Sequence, residues 1–187
     1  MDKLKWYHYL GIGTGILVIG SIINRQRVMQ NLKLIRLGEF FTLDEFVKTS
    51  TGIENIPTED AIRRLTLLVQ NVLEPLRKAL GKPINITSGY RSPLVNAAVV
   101  GSSKTSQHSK GEAADFKVSG MTNQQIIDVI RKLRLPYDQV IDEQRGPSLW
   151  VHVSHAASGN QRLAWLTRRD TSTERPREYE LIKTGYA

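Results

Sequence analysis

The segment Ser106-Gln107-His108-Ser109-Lys110-Gly111-Glu112-Ala113-Ala114-Asp115 constrains this chain more than any other. It sets an imidazole and a carboxylate seven positions apart, with Gly111 able to turn the chain between them. The run Ala113-Ala114-Asp115-Phe116-Lys117-Val118 has strand alternation. Ala114, Phe116 and Val118 then face a core, and Ala113, Asp115 and Lys117 face the other side. A second run, Leu149-Trp150-Val151-His152-Val153, puts Val151 and Val153 toward the core. Trp150, His152 and Ser154 share the opposite face. If the two strands are neighbours, Asp115 and His152 lie on one face and His108 folds over the same spot. Two imidazoles and a carboxylate suit a zinc ion that keeps a fourth position for water.

The other two histidines, His8 and His155, have no such context, and an isolated histidine is more often a surface or satisfied residue. On a continuing strand His155 points away from His152; it lines the cleft if the strand ends at Ser154. The chain has no cysteine. That excludes a disulfide framework and a thiolate site, and leaves a metal only His, Asp and Glu.

These residues carry a resemblance. Ser106-x-His108-x-x-Gly111-x-Ala113-x-Asp115 resembles the SxHxxGxAxD signature of the M15 zinc peptidases. Ser88-Gly89-Tyr90-Arg91-Ser92 is similar to that family's SGYRS segment, and Trp150-Val151-His152-Val153-Ser154 to its WVHVS segment. The likeness runs over residues 38–168. It is to the endolysin-like members of subfamily A: D-Ala-D-Ala carboxypeptidases and L-Ala-D-Glu endopeptidases acting on peptidoglycan peptides. It implies a Hedgehog/DD-peptidase-like α+β fold and zinc held by His108, Asp115 and His152. It also implies an Arg91 close to the metal, polarising the scissile carbonyl or holding a substrate carboxylate. Tyr90, Ser106 and Gln107 are candidate substrate contacts, although Ser106 and Gln107 serve equally well as turn residues.

Zinc in such a site polarises a peptide carbonyl and lowers the pKa of a water, and a carboxylate must move the proton. Many M15 members place that acid three residues before the last histidine; here Leu149 stands there. Glu143 is the first candidate base, because it ends a strand joined to the His152 strand by a short loop. Asp142 is second, since alternation aims it the other way, and Glu112 is third. An inactive M15-like binding module is the alternative that this departure raises.

The net charge of +8 is concentrated before residue 38, where Lys3, Lys5, Arg25, Arg27, Lys33 and Arg36 face one acid, Asp2. Trp6 to Ile23 carries no charged residue if His8 is neutral, which is near the lower limit for a spanning helix. Trp6, Tyr7 and Tyr9 suit an interfacial belt, and Gly11 and Gly15 a close helix contact. Residues 1–37 therefore read as a membrane-anchor-like helix with a basic linker. It would hold the chain at a bacterial envelope, or pack into a protein assembly such as a phage virion. The flanking charges favour a cytoplasmic domain, whereas a wall substrate lies on the other side. The absence of a separate wall-binding module fits a phage-encoded enzyme, and a structural virion or membrane-assembly role is a further alternative. Nothing accompanies the basic arm that suggests nucleic acid.

The remaining elements follow from pattern. Gly38 marks the boundary of the catalytic region, 38–168, and a polar tail occupies 169–187. Thr42 with Glu45 makes a capping box. Thr58 caps a helix with an apolar stripe from Ile62 to Leu80, which Pro75 kinks or divides and Gly81 stops. Strands are expected at 84–87, 113–118, 137–143, 149–153 and 162–167, with helices at 93–100 and after Thr122. Tyr179 to Ile182 is expected to dock back. The fold class is α+β: a small, largely antiparallel sheet with the site on one face and helices on the other.

Overall fold

The long apolar stripe after Thr58 builds the helical layer. The structure is a computed structural model and describes residues 34–170 and 180–185. Its elements are α1 (Leu43–Val47), α2 (Glu59–Leu68), a π-helical turn (Val69–Leu73) and α3 (Glu74–Leu80). Then come β1 (Ile84–Ser88), α4 (Pro93–Ala98), α5 (Gln107–Lys110), β2 (Ala113–Val118) and α6 (Asn123–Lys132). The sheet is completed by β3 (Gln139–Arg145), β4 (Ser148–Ser154), β5 (Ala164–Asp170) and β6 (Glu180–Thr184).

Thr58 caps α2, its side chain accepting from the Ala61 N–H at 3.2 Å. Where one helix kinked or divided at Pro75 is expected, a wider π turn stands just before that residue. Proline has no N–H to donate and its ring crowds the carbonyl of the preceding turn, and the widened turn accommodates both. Leu65, Leu68, Val69, Val72, Leu73 and Leu76 are all fully buried along this element. Thr42 and Thr122 open α1 and α6: each backbone N–H donates to the side chain three residues on, Glu45 at 2.8 Å and Gln125 at 2.9 Å.

The strands form one 6-stranded sheet in the order β1-β2-β4-β3-β5-β6. Every pairing is antiparallel except β3 with β5, so the sheet is mixed. The expected antiparallel character gives way there for a topological reason. β4 is flanked by β2 and β3, so the next strand cannot pair with it and takes the free edge of β3. The loop after Ser154 steps across the start of β3, and β5 then runs alongside it. Asp138 ties that step down: its N–H donates to Ser154 O at 2.7 Å and its carbonyl accepts from Ala164 N at 3.0 Å. β6 docks on β5, so the described part of the stretch expected to return, 180–182, does so.

Alternation divides the sheet into two faces. Ala114, Phe116, Val118, Val140, Val151 and Val153 join the core with α2, α3 and α6. Asp115, His152, Ile141 and Glu143 look the other way, into a cleft. Leu37 is also a core residue and Ile35 packs against it, so the packed body begins before Gly38. The anchor-like stretch Trp6 to Ile23 and the tail residues 171–179 and 186–187 lie outside the described residues. Among the described residues, no helix is long and apolar enough to cross a membrane.

Candidate metal centre

Three side chains converge where β2, β4 and α5 meet. In the register of β2 and β4, Asp115 lies directly opposite His152. The tight end of α5 delivers His108 to the same place. That end depends on Gly111, whose φ of 75° is left-handed and whose added Cβ would lie 2.5 Å from Ala61 O. Asp115 Oδ1 is 3.3 Å from His108 Nε2 and 2.8 Å from His152 Nδ1. The two nitrogens are 3.3 Å apart.

This arrangement fits zinc. With zinc–ligand bonds of about 2.0–2.2 Å, donor atoms of a tetrahedral site lie about 3.3 Å apart. Two of the three separations match that spacing, and the third is shorter because Asp115 and His152 are hydrogen-bonded. All three residues are buried and form a metal-competent donor group. His108 Nδ1 lies 2.7 Å from Gly89 O. A carbonyl only accepts, so Nδ1 carries the proton and Nε2 presents its lone pair to the site. Gly89 itself must be glycine, since a Cβ there would stand 2.5 Å from Phe46 O.

The electrostatics agree. Burial pushes the His108 pKa down, which keeps the imidazole neutral and able to ligate. Burial opposes ionisation of Asp115, but the hydrogen bond from His152 helps to hold its pKa well below the usual carboxylate range. Arg91 Nη2 donates to Asp115 Oδ2 at 3.1 Å, and its Nε donates to Ser88 Oγ at 3.0 Å. Arg91 is thus next to the metal donors and pairs with a buried acid, not a surface one.

The donor group lies in a cleft of about 700 Å3 that Arg91, Ser106, Gln107, Glu143 and Trp150 also line. Glu143 pairs in register with Trp150, and Ile141 with His152, so Glu143 stands on the metal face one step along β3. Asp142 points to the helical side, where Asn123 Nδ2 donates to its Oδ1 at 2.7 Å. Glu112 is removed from the cleft and accepts from Arg64 Nη1 at 2.5 Å. Leu149 pairs with Gln144 on the face opposite His152, so an acid on this strand position would point away from the metal. Ser106 stands at the cleft wall just before α5, its side chain making no capping bond to the helix. Gln107 Nε2 donates to Asp138 Oδ2 at 2.9 Å, which commits part of its amide to the scaffold.

Tyr90 is placed differently from its expected role as a substrate contact. It is buried in the core cluster and its carbonyl accepts from Asn55 Nδ2 at 2.8 Å. Gly89 and Arg91 on either side of it are buried too, and burial raises the Tyr90 hydroxyl pKa. His155 follows the end of β4 but packs against Asn71 of the π turn, Nε2 to Nδ2 at 3.2 Å, and does not line the cleft. Asn55 was not singled out by sequence. It holds the 88–92 loop through Tyr90 O and Ser92 N, and a lone asparagine in a loop offers no pattern to find.

The sequence model of the Peptidase M15 family matches residues 39–154. A comparison with curated proteins found no match. Membership follows from the length of the family match, which takes in β1 through β4 and all three donor residues: the chain belongs to the M15 peptidase family, and so to the zinc-dependent metallopeptidases.

Proposed function

We propose that this peptidase cleaves peptide bonds in the stem or cross-link peptides of peptidoglycan, with Glu143 as general base and Arg91 as the carbonyl or carboxylate clamp. The observation that carries the reading is the joint placement of His108, Asp115, His152, Arg91 and Glu143 on one cleft. Zinc bound by the three donors supplies a Lewis acid for the carbonyl and an acidified water.

The chain's own residues do the rest. Gly89 O and Asp115 fix the imidazoles before substrate arrives. Glu143, a buried carboxylate on the metal face, takes the water's proton and hands it to the leaving amine. Arg91 offers a fixed planar donor beside the reacting carbonyl, where negative charge develops. Hydroxyls of Thr49, Ser50, Ser103 and Ser106 along the cleft suit a polar peptide backbone and amide-rich substrate. The apolar stretch 6–23 is read as the segment that holds the enzyme at an envelope or in a virion.

The test is digestion of purified peptidoglycan by the zinc-loaded chain, with released peptides identified by mass spectrometry and His108→Ala as control. Zinc-dependent release that the variant lacks supports the proposal and names the bond. A folded, zinc-loaded protein that releases nothing from several wall chemistries contradicts it.

A further inference from the structure

A second depression, of about 510 Å3, lies beside the cleft, and the two share the side chains of Gln107 and Arg162. Those side chains are held in place. The buried Asp138 carboxylate accepts from Gln107 Nε2 at 2.9 Å, from Arg162 Nη2 at 2.6 Å and from the Arg162 backbone N–H at 2.9 Å. Asp138 is 2% exposed, whereas the Arg162 side chain is 58% exposed. A rigid acid therefore carries an accessible cation at the junction of the two concavities.

Beyond that ridge the wall is cationic. Arg63, Arg64, Lys110 and Arg162 stand on it with two acids, Glu112 and Asp138, while Asp60, outside the depression, pairs with Arg63 at 2.7 Å and Arg64 at 2.6 Å. Those acids are committed, Glu112 to Arg64 at 2.5 Å and Asp138 to Arg162. Lys110 has no acid partner among the described residues. A solvated face of structural ion pairs accounts for Arg63 with Asp60, for Arg64 with Asp60 and Glu112, and for Arg162 with Asp138. It leaves Lys110 without a role. Lys110 ends α5, the helix that presents His108, so a ligand group held there is held at a fixed distance from the metal donors.

We infer that this depression is an anion subsite of the same enzyme: it takes a free carboxylate of the peptide whose scissile bond lies in the cleft. Lys110 is the principal counter-charge, and Gln107 and Arg162 line the passage between the two. The inference rests on the peptidase reading and adds the charge of the substrate that the site prefers.

The experiment uses the full zinc-loaded chain and one muropeptide in two forms, with its free carboxylates and with those carboxyls amidated. The wild type is expected to show a kcat/KM about two- to fivefold higher for the acid form, the size of effect an exposed charge pair gives. Lys110→Ala removes that preference and Lys110→Arg keeps it. No preference in the wild type, or an undiminished preference in Lys110→Ala, overturns the inference. If the wild type cuts neither form, the peptidase reading fails, and the subsite is judged by calorimetric binding of the same pair to Glu143→Gln protein. Tighter binding of the acid form that Lys110→Ala abolishes supports the subsite; equal binding, or none, overturns it.

Discussion

Arg91 grips the far oxygen of Asp115: its Nη2 donates to Oδ2 at 3.1 Å, while Oδ1 faces His152 Nδ1 at 2.8 Å. The carboxylate is thereby fixed in rotation, with one oxygen for the metal side and one for the guanidinium. Partners of this kind orient metal ligands and tune their basicity. Arg91→Ala should weaken zinc binding about 10–100-fold. Competition with a chelating dye measures it, and an unchanged affinity would show that Asp115 needs no such support.

Position 149 supplies a second expectation. Leu149 is where many family members carry an acid, yet β4 turns it to the face opposite His152. Leu149→Glu should therefore fail to restore turnover to Glu143→Gln. Recovery of activity in the double variant would mean that the strand twists enough for residue 149 to reach the cleft. Asp142→Asn is the companion control. It should keep turnover and, because its amide oxygen still accepts from Asn123, cost little stability, whereas Asp142→Ala leaves that donor unpaired and should lose roughly 1–3 kcal/mol, read from urea midpoints.

Gly89 and Gly111 set the position of His108 from both sides. Gly111→Ala combines a left-handed backbone with a clash on Ala61 O and should cost about 2–4 kcal/mol. Gly89→Ala pushes against Phe46 and should cost about 1–3 kcal/mol. The second also displaces the carbonyl that orients His108, so its zinc affinity should fall along with its stability. A destabilised Gly89→Ala protein with wild-type zinc affinity would contradict that link.

His155 predicts a pH effect on stability. Burial pushes its pKa below the ordinary 6.5, and its Nδ1 has no partner among the described residues. Above pH 6.5 the ring is neutral in folded and unfolded chains alike. Below that, the unfolded chain takes up a proton the folded chain resists, so stability falls as pH drops toward the folded pKa. The Glu112 and Asp138 carboxylates pull the other way but do not reverse the shift. Urea unfolding of wild type and His155→Gln at pH 7.5 and 5.5 should show the wild type losing more stability on acidification. Parallel losses in both proteins would remove His155 as the cause.

Much of the site was legible because it is written in short-range pattern. Alternation in 113–118 and 149–153 put Asp115 and His152 on one face, and the glycine at 111 announced the turn that returns His108. The same rule separated Glu143 from Asp142. What was not legible depends on distant partners. Nothing local says that Asn55 will hold the carbonyl of Tyr90, or that Tyr90 will fill the core instead of the cleft. The parallel pairing of β5 follows from which sheet edge is free, a property of the whole topology. Pro75 signalled an interruption, but a proline does not specify that a π turn will absorb it. The Asp138–Arg162 ridge joins residues with no shared motif, so only the fold brings them together.

Glu143 is proposed to move the proton at a centre built by His108, Asp115 and His152. The most direct measurement pairs zinc stoichiometry with single-turnover cleavage of a peptidoglycan peptide in wild type and Glu143→Gln. Equal zinc content and a rate lower by about 10²–10⁴-fold in the variant are expected if Glu143 is the base. A zinc-loaded Glu143→Gln that cleaves at the wild-type rate would contradict it.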